Sequence, residues 1–153
     1  ENPESTSMQC GLATWGLAFV GAEASESLKE AAKSKNSLIR SAAIAALEDQ
    51  INSLKDEEAR ELLVQAVNDR SVKVQSEAIR LIGKLTDKTW SMPILINKLN
   101  DNESEIRKKA AISLMQMNDI NTIESLRERI SQEEDNDVLN VLKLAINQII
   151  KMN

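Results

Sequence analysis

The densest groups that could move a proton are two carboxylate clusters, Glu57 with Glu58 and Glu133 with Glu134 and Asp135. Paired carboxylates do general acid/base work when their surroundings hold one protonated and the other ionised. Both clusters fall in predicted turns or at helix starts, where the helix dipole favours negative charge. Neither has a histidine, a tyrosine or a cofactor motif to tune it, so both read as structural. The 153 residues contain no His, no Tyr and a single Cys, Cys10. That inventory removes zinc clusters, Cys/His pairs, Ser/His/Asp triads and internal disulfides. No catalytic residue, metal ligand or cofactor site emerges, and the residues alone read as a protein that is not an enzyme. Cys10 has no cationic neighbour in sequence to activate it and reads as a small buried apolar residue. A lone thiol slightly favours the cytoplasm and leaves an exported mature protein open.

The second chemistry available is charge recognition. The chain has 19 Lys and Arg against 24 Asp and Glu, a net charge of −5. Such a balance argues against a phosphate-backbone binder and against docking on anionic membranes. The longest nearly charge-free run, Met8 to Ala22, is shorter than the roughly 20 residues of a membrane-spanning helix. Acidic residues precede it where a signal peptide carries Lys or Arg, so it is expected to be an amphipathic helix. Neither nucleic-acid binding nor membrane insertion is expected.

The elements that position these residues follow from composition and periodicity. Hydrophobic residues make up 42% and aromatics only 2%, with 4 Gly and 2 Pro, which demands an aliphatic core and favours helices over a many-stranded fold. The stretches beginning at Leu62 and Ile94 superpose without a gap, pairing Leu63 with Leu95, Val67 with Leu99, Asp69 with Asp101, Val74 with Ile106, Ala78 with Ala110 and Ile82 with Leu114. Ile39, Ala43 and Leu47 precede this register, and Val138, Leu142 and Ile146 follow it. Each unit holds a short first helix with apolar residues four apart (Leu28 and Ala32, Leu126 and Ile130) and a longer second helix with an i, i+4, i+7, i+8 stripe. Polar turns between them supply N-caps. Asn102 with Glu105 has capping-box spacing, and Pro93 is expected in the first turn of a helix. The expected organisation is a flexible segment, residues 1–7, then one repeat domain, 8–153, with units near 8–22, 24–54, 56–87, 90–118 and 120–152.

A helix pair of this period, with an Asp in its internal turn and a Val-Arg-like start to the second helix, resembles the HEAT repeat; Val67 to Ile82 and Leu99 to Leu114 are the best copies. The short period is most similar to the HEAT-like subclass of phycobilisome lyases. The resemblance implies an all-α, right-handed α-solenoid of about four and a half HEAT-like helix pairs, whose second helices line the concave face. It also implies a ladder in which the turn Asp of one repeat pairs with the second-helix Arg of another; Asp69, Asp101, Arg40 and Arg107 match. Ser34 and Glu133 stand at two Asp positions, and Gln9, Gln75 and Leu139 at three Arg positions.

With that register, the residues expected to project from the second helices include Arg80, Lys108, Ile112, Asn140 and Leu144, with Lys84 and Lys109 nearby. They are the candidate partner-binding residues, a local basic patch on an acidic protein grading into an apolar end. The last helix, Val138 to Met152, is apolar on more than one stripe, which suggests a further repeat, self-association or a partner. The first helix, with Trp15 and Phe19, is similarly broad. The leading expectation is a non-enzymatic scaffold or adaptor holding a protein on its second-helix face. The alternatives are a HEAT-like lyase or ligand-handling protein, and a fragment of a larger HEAT array.

Overall fold

The computed structural model describes residues 21–48 and 57–153. Residues 1–7 and most of the first repeat unit, including Cys10, Trp15 and Phe19, lie outside these, so the expectations placed there find no structural counterpart below. Among the described residues the chain forms first helices α1 (Gly21–Ala32), α3 (Glu57–Val67), α5 (Lys88–Lys98) and α7 (Ile123–Ile130). They alternate with second helices α2 (Ser37–Ala46), α4 (Val72–Ile82), α6 (Ser104–Met117) and α8 (Asn136–Met152). A short 3₁₀ turn, Ile120–Thr122, leads into α7. No strand occurs among the described residues, and the fold is an all-α solenoid.

Two compact units meet between Ala78 and Ile79, within α4. In the first, α1 packs on α2 and α3 contacts both. Its described core is Leu28, Ala43, Ile44, Leu47, Leu63, Val67, Val74 and Ala78, all buried. In the second, α6 packs most extensively on α8, α5 packs on α6 and α7 on α8. Leu81, Ile82, Leu95, Leu99, Ile106, Ala110, Leu114, Leu126, Val138, Leu142 and Ile149 fill its core. Apart from half-buried Ile39, the apolar register positions of the second helices are therefore the buried ones. Each Leu or Ile so enclosed contributes roughly 1.5–3 kcal/mol, against which the chain's entropy is set.

The turns show why the helices begin and end where they do. Asn36 caps α2 by accepting the N–H of Leu38 (2.9 Å), and Asp135 caps α8 by accepting those of Asp137 (2.9 Å) and Val138 (3.1 Å). The capping box at Asn102 and Glu105 does not form. The N-cap of α6 is Glu103, which makes no side-chain cap bond. The turn is held two residues before that cap, where Asp101 accepts the N–H of Glu103 (3.1 Å). Pro93 sits inside α5, beyond its first turn, because Asp87 starts the helix earlier by capping Trp90. The missing donor of Pro93 leaves only the carbonyl of exposed Thr89 without its helical partner. Helix α6 ends at Asn118, a left-handed C-cap at φ 50°, which lets its N–H reach the carbonyls of Leu114 and Met115.

One close approach welds α4 to α6. A β-carbon on Gly83 would lie 2.7 Å from Ser113 Cβ and 3.2 Å from its Cα, and Ser113 Oγ donates to the Ile79 carbonyl at 3.1 Å. A side chain at either residue larger than these would push the two helices apart.

Candidate functional site

The second-helix face is held by arginines whose forks tie consecutive turns together. Arg40, buried on α2, donates through Nε and Nη2 to the two carboxylate oxygens of Asp69, each at 2.8 Å. Its Nη1 donates to the carbonyls of Ser34 (2.8 Å) and Lys35 (3.1 Å), closing the turn ahead of its own helix. Asp69 also accepts the N–H of Ser71 at 2.8 Å. The Arg40 fork holds the Asp69 carboxyl below the usual carboxylate range against the opposing effect of burial, and Asp69 in turn raises Arg40.

The same construction recurs in the second unit with a different acid. Arg107 donates to Glu133 through Nε (2.7 Å) and Nη2 (2.8 Å), while its Nη1 bonds the carbonyls of Asp101 (3.0 Å) and Asn102 (2.9 Å). Glu133, its side chain fully enclosed at 0% exposure, also accepts Arg129 Nε at 3.0 Å and the N–H groups of Glu134 and Asp135. The bonds from Arg107 chiefly, with Asp135 N–H and Arg129, pull its carboxyl down to about 2 although burial opposes them. One carboxylate thus serves two guanidinium groups. Within the carboxylate cluster at 133–135, Glu133 is spent on two guanidinium groups and Asp135 on the cap of α8.

Asp101 and Arg107 do not meet side chain to side chain. The Asp101 carboxylate takes Lys98 Nζ at 3.1 Å, a cation from its own first helix. At the intervening Arg position stands Gln75, which keeps only the bond to its own turn, Nε2 to the Asp69 carbonyl, and whose Oε1 is buried without a partner. Neither Lys98 nor Arg129 is marked by the repeat pattern. The sole sequence signal for them is a cation three or four residues before a turn carboxylate.

With the helices so fixed, α6 presents Lys108, Ile112 and Met115 on one stripe opposite Ile106, Ala110 and Leu114. All three are half-buried. Asn140 and Leu144 hold the matching stripe on α8, and Leu144 is 55% exposed. Arg80, half-buried, and Lys84, exposed, lie at the end of α4 and each already interacts within the fold. Lys109 is partly engaged by Glu105 at 3.8 Å. No carboxylate among the described residues pairs with Lys108. The face therefore combines an uncompensated cation with an apolar bed of Ile112, Met115 and Leu144. Met115 is not among the residues expected from sequence to project from the second helices, since it lies one turn beyond the Lys108 and Ile112 pair. Among the described residues no cluster could hold a metal ion, and no helix is long and apolar enough to cross a membrane.

Paired helices in one repeating register, tied by turn carboxylates and second-helix arginines, define an α-solenoid of HEAT repeats. The family described as HEAT repeats matches residues 60–147, and the chain belongs to it. A curated relative is the bilin biosynthesis protein MpeU of Synechococcus sp. (strain WH8020), 34% identical over 146 residues, which are 95% of this chain and 49% of the relative. The chain thus spans about half the length of that relative. Among solved structures, a chain of the complex of CpcE and CpcF of phycocyanin lyase from Nostoc sp. PCC7120 superposes with a TM-score of 0.71 at 20% identity, covering 94% of this chain and 90% of that one. An engineered protein superposes with a TM-score of 0.58 at 20% identity over 85% of this chain and 64% of its own.

These relatives correct two expectations, that the chain is a non-enzymatic scaffold or adaptor and that it is not an enzyme. Proteins similar to it along nearly its whole length are named for bilin biosynthesis and for a lyase. Composition alone does not exclude an enzyme, for a physical reason. Lack of His and Tyr removes tuned proton transfer, but an enzyme can also act by holding a reactive molecule in a productive orientation, which needs only shape and charge.

Proposed function

We propose that this chain is a component of a bilin lyase and that it holds the bilin on the outer face of its second helices. The observation that carries this reading is the 34% identity to a bilin biosynthesis protein across 95% of the chain. The face is chemically suited to the ligand. A bilin is a long conjugated tetrapyrrole bearing two propionates, so it wants an apolar bed flanked by cations. Ile112, Met115 and Leu144 supply the bed; Lys108, next to Lys109 on α6, supplies the charge, with Arg80 and Lys84 at the end of α4 as further cations, and Asn140 a neutral polar edge. The role of these side chains is to bind and orient. A protein partner fits the reading, since the similar solved chain comes from a two-protein complex. The exposed Ile150 (50%) and Met152 (64%) at the end of α8 offer apolar surface for it, or for a second copy of the chain.

The test is titration of the purified chain with biliverdin, followed by absorbance and by induced circular dichroism in the visible band. Saturable binding is expected, and Lys108→Glu should weaken it by about tenfold while leaving far-ultraviolet helicity unchanged. A chain that induces no dichroism at any bilin concentration would overturn the reading. Binding that survives charge reversal at Lys108 would move the site off this face.

A further inference from the structure

Between the first helices α5 and α7 lies a cleft of about 290 Å³, away from the second-helix face. Ile96 and the buried Leu99 give it an apolar floor. Its polar lining is rich in donors. Asn100, Ser125 and Gln132 line it, and neither the Asn100 amide nitrogen, the Ser125 hydroxyl nor the Gln132 side chain has a hydrogen-bond partner among the described residues. At its edge stands Arg129, whose Nε is spent on Glu133 but whose terminal nitrogens make only long contacts, Nη1 to Asn100 Oδ1 at 3.5 Å and Nη2 to the Gln132 carbonyl at 3.4 Å. The guanidinium is also incompletely neutralised, because Glu133 is shared with Arg107 and bonded more tightly to it. The one acid in the lining, Glu128, is an exposed residue of α7 that pairs with no cation among the described residues.

We infer that this cleft binds a carboxylate carried on a short aliphatic body, with the carboxylate on the terminal nitrogens of Arg129 and the aliphatic part on Ile96 and Leu99. A carboxylate matches the planar fork of a guanidinium and takes up the unspent donors beside it. The volume, at the lower end for ligand sites, admits a branched group of leucine size and excludes an intact tetrapyrrole. Two sources share this chemistry: a free branched-chain acid, and the C-terminus of a polypeptide ending in an aliphatic residue.

The experiment is an amide NMR titration of the whole chain, including the Arg129 Nε–H resonance, with isovalerate and with isovaleramide. A saturable shift at Leu99, Asn100, Ser125 and Arg129 is expected with isovalerate, at about millimolar affinity, and none with the amide. Ser125→Leu, which fills the cleft without touching Glu133, should weaken binding at least tenfold, and Arg129→Gln should abolish it. Peptides ending in leucine, as free acid and as amide, separate the sources. Tighter binding of the free-acid peptide than of isovalerate assigns the site to a chain terminus, and weaker binding assigns it to a free acid. Shifts that stay linear, that are equal for acid and amide, or that persist in Ser125→Leu overturn the inference. Because biliverdin binding on the other face is read separately, failure here leaves that result intact.

Discussion

Glu133 is the residue whose removal tests the architecture most sharply. Its side chain is enclosed and accepts both nitrogens of the Arg107 fork, Arg129 Nε and two backbone N–H groups. A carboxyl lowered from 4.5 to about 2 corresponds, at about 1.4 kcal/mol per unit, to about 3 kcal/mol of folding stability. Because the folded value is the lower one, the unfolded chain takes up the proton first as pH falls. The contribution is therefore complete above the unfolded value near 4.5 and disappears as pH drops through about 2. Glu133→Gln keeps the size and one acceptor but removes the charge shared by two guanidinium groups. Urea unfolding followed by far-ultraviolet circular dichroism should find this variant about 3 kcal/mol less stable at neutral pH, a fall in Tm of about 10 °C. The difference between wild type and variant should shrink as the buffer is taken to about pH 2, whatever the other carboxylates do, since those titrate in both proteins. A variant that runs parallel to wild type over the whole range would show that the charge is worthless there and that only the hydrogen-bond geometry counts.

Two further outcomes follow from the packing. Gly83→Ala, which would drive a methyl to 2.7 Å from Ser113 Cβ, should cost about 1–3 kcal/mol of stability, and adding Ser113→Gly should recover part of it in a double-mutant cycle. Asn118→Gly should raise stability by about 0.5–1 kcal/mol in the same unfolding assay, because a residue at φ 50° is strained with a side chain and free without one; a loss of stability would mean that the 3.3 Å contact from Asn153 to Asn118 matters more than the backbone.

The helices and their buried stripes were legible because apolar spacing is local: Val74, Ala78 and Ile82, and again Ile106, Ala110 and Leu114, announce a helix face within two turns. The site was less so. Arg40 and Asp69 sit where a repeat ladder puts them, but Glu133 looks in sequence like one of three turn carboxylates, and only the fold brings Arg107, 26 residues away, onto it. The contact of Gly83 with Ser113, 30 residues away, is invisible for the same reason, whereas Lys98 three residues before Asp101 left a local trace that the repeat pattern does not mark. Pro93 misled because a proline tolerated within a helix looks, on paper, like one that begins it.

What the sequence by itself determined was the class of structure: a repeating apolar register with almost no aromatic residues or turn formers admits stacked helix pairs and little else. Its residue types also bounded the chemistry, since without His or Tyr any proton transfer falls to carboxylates, lysines and the one cysteine. The tertiary structure decided which charges are spent and which are available. Lys108 and the terminal nitrogens of Arg129 stand out only once the pairings of Glu105, Asp101 and Glu133 are known, and such pairing depends on distances of a few ångströms.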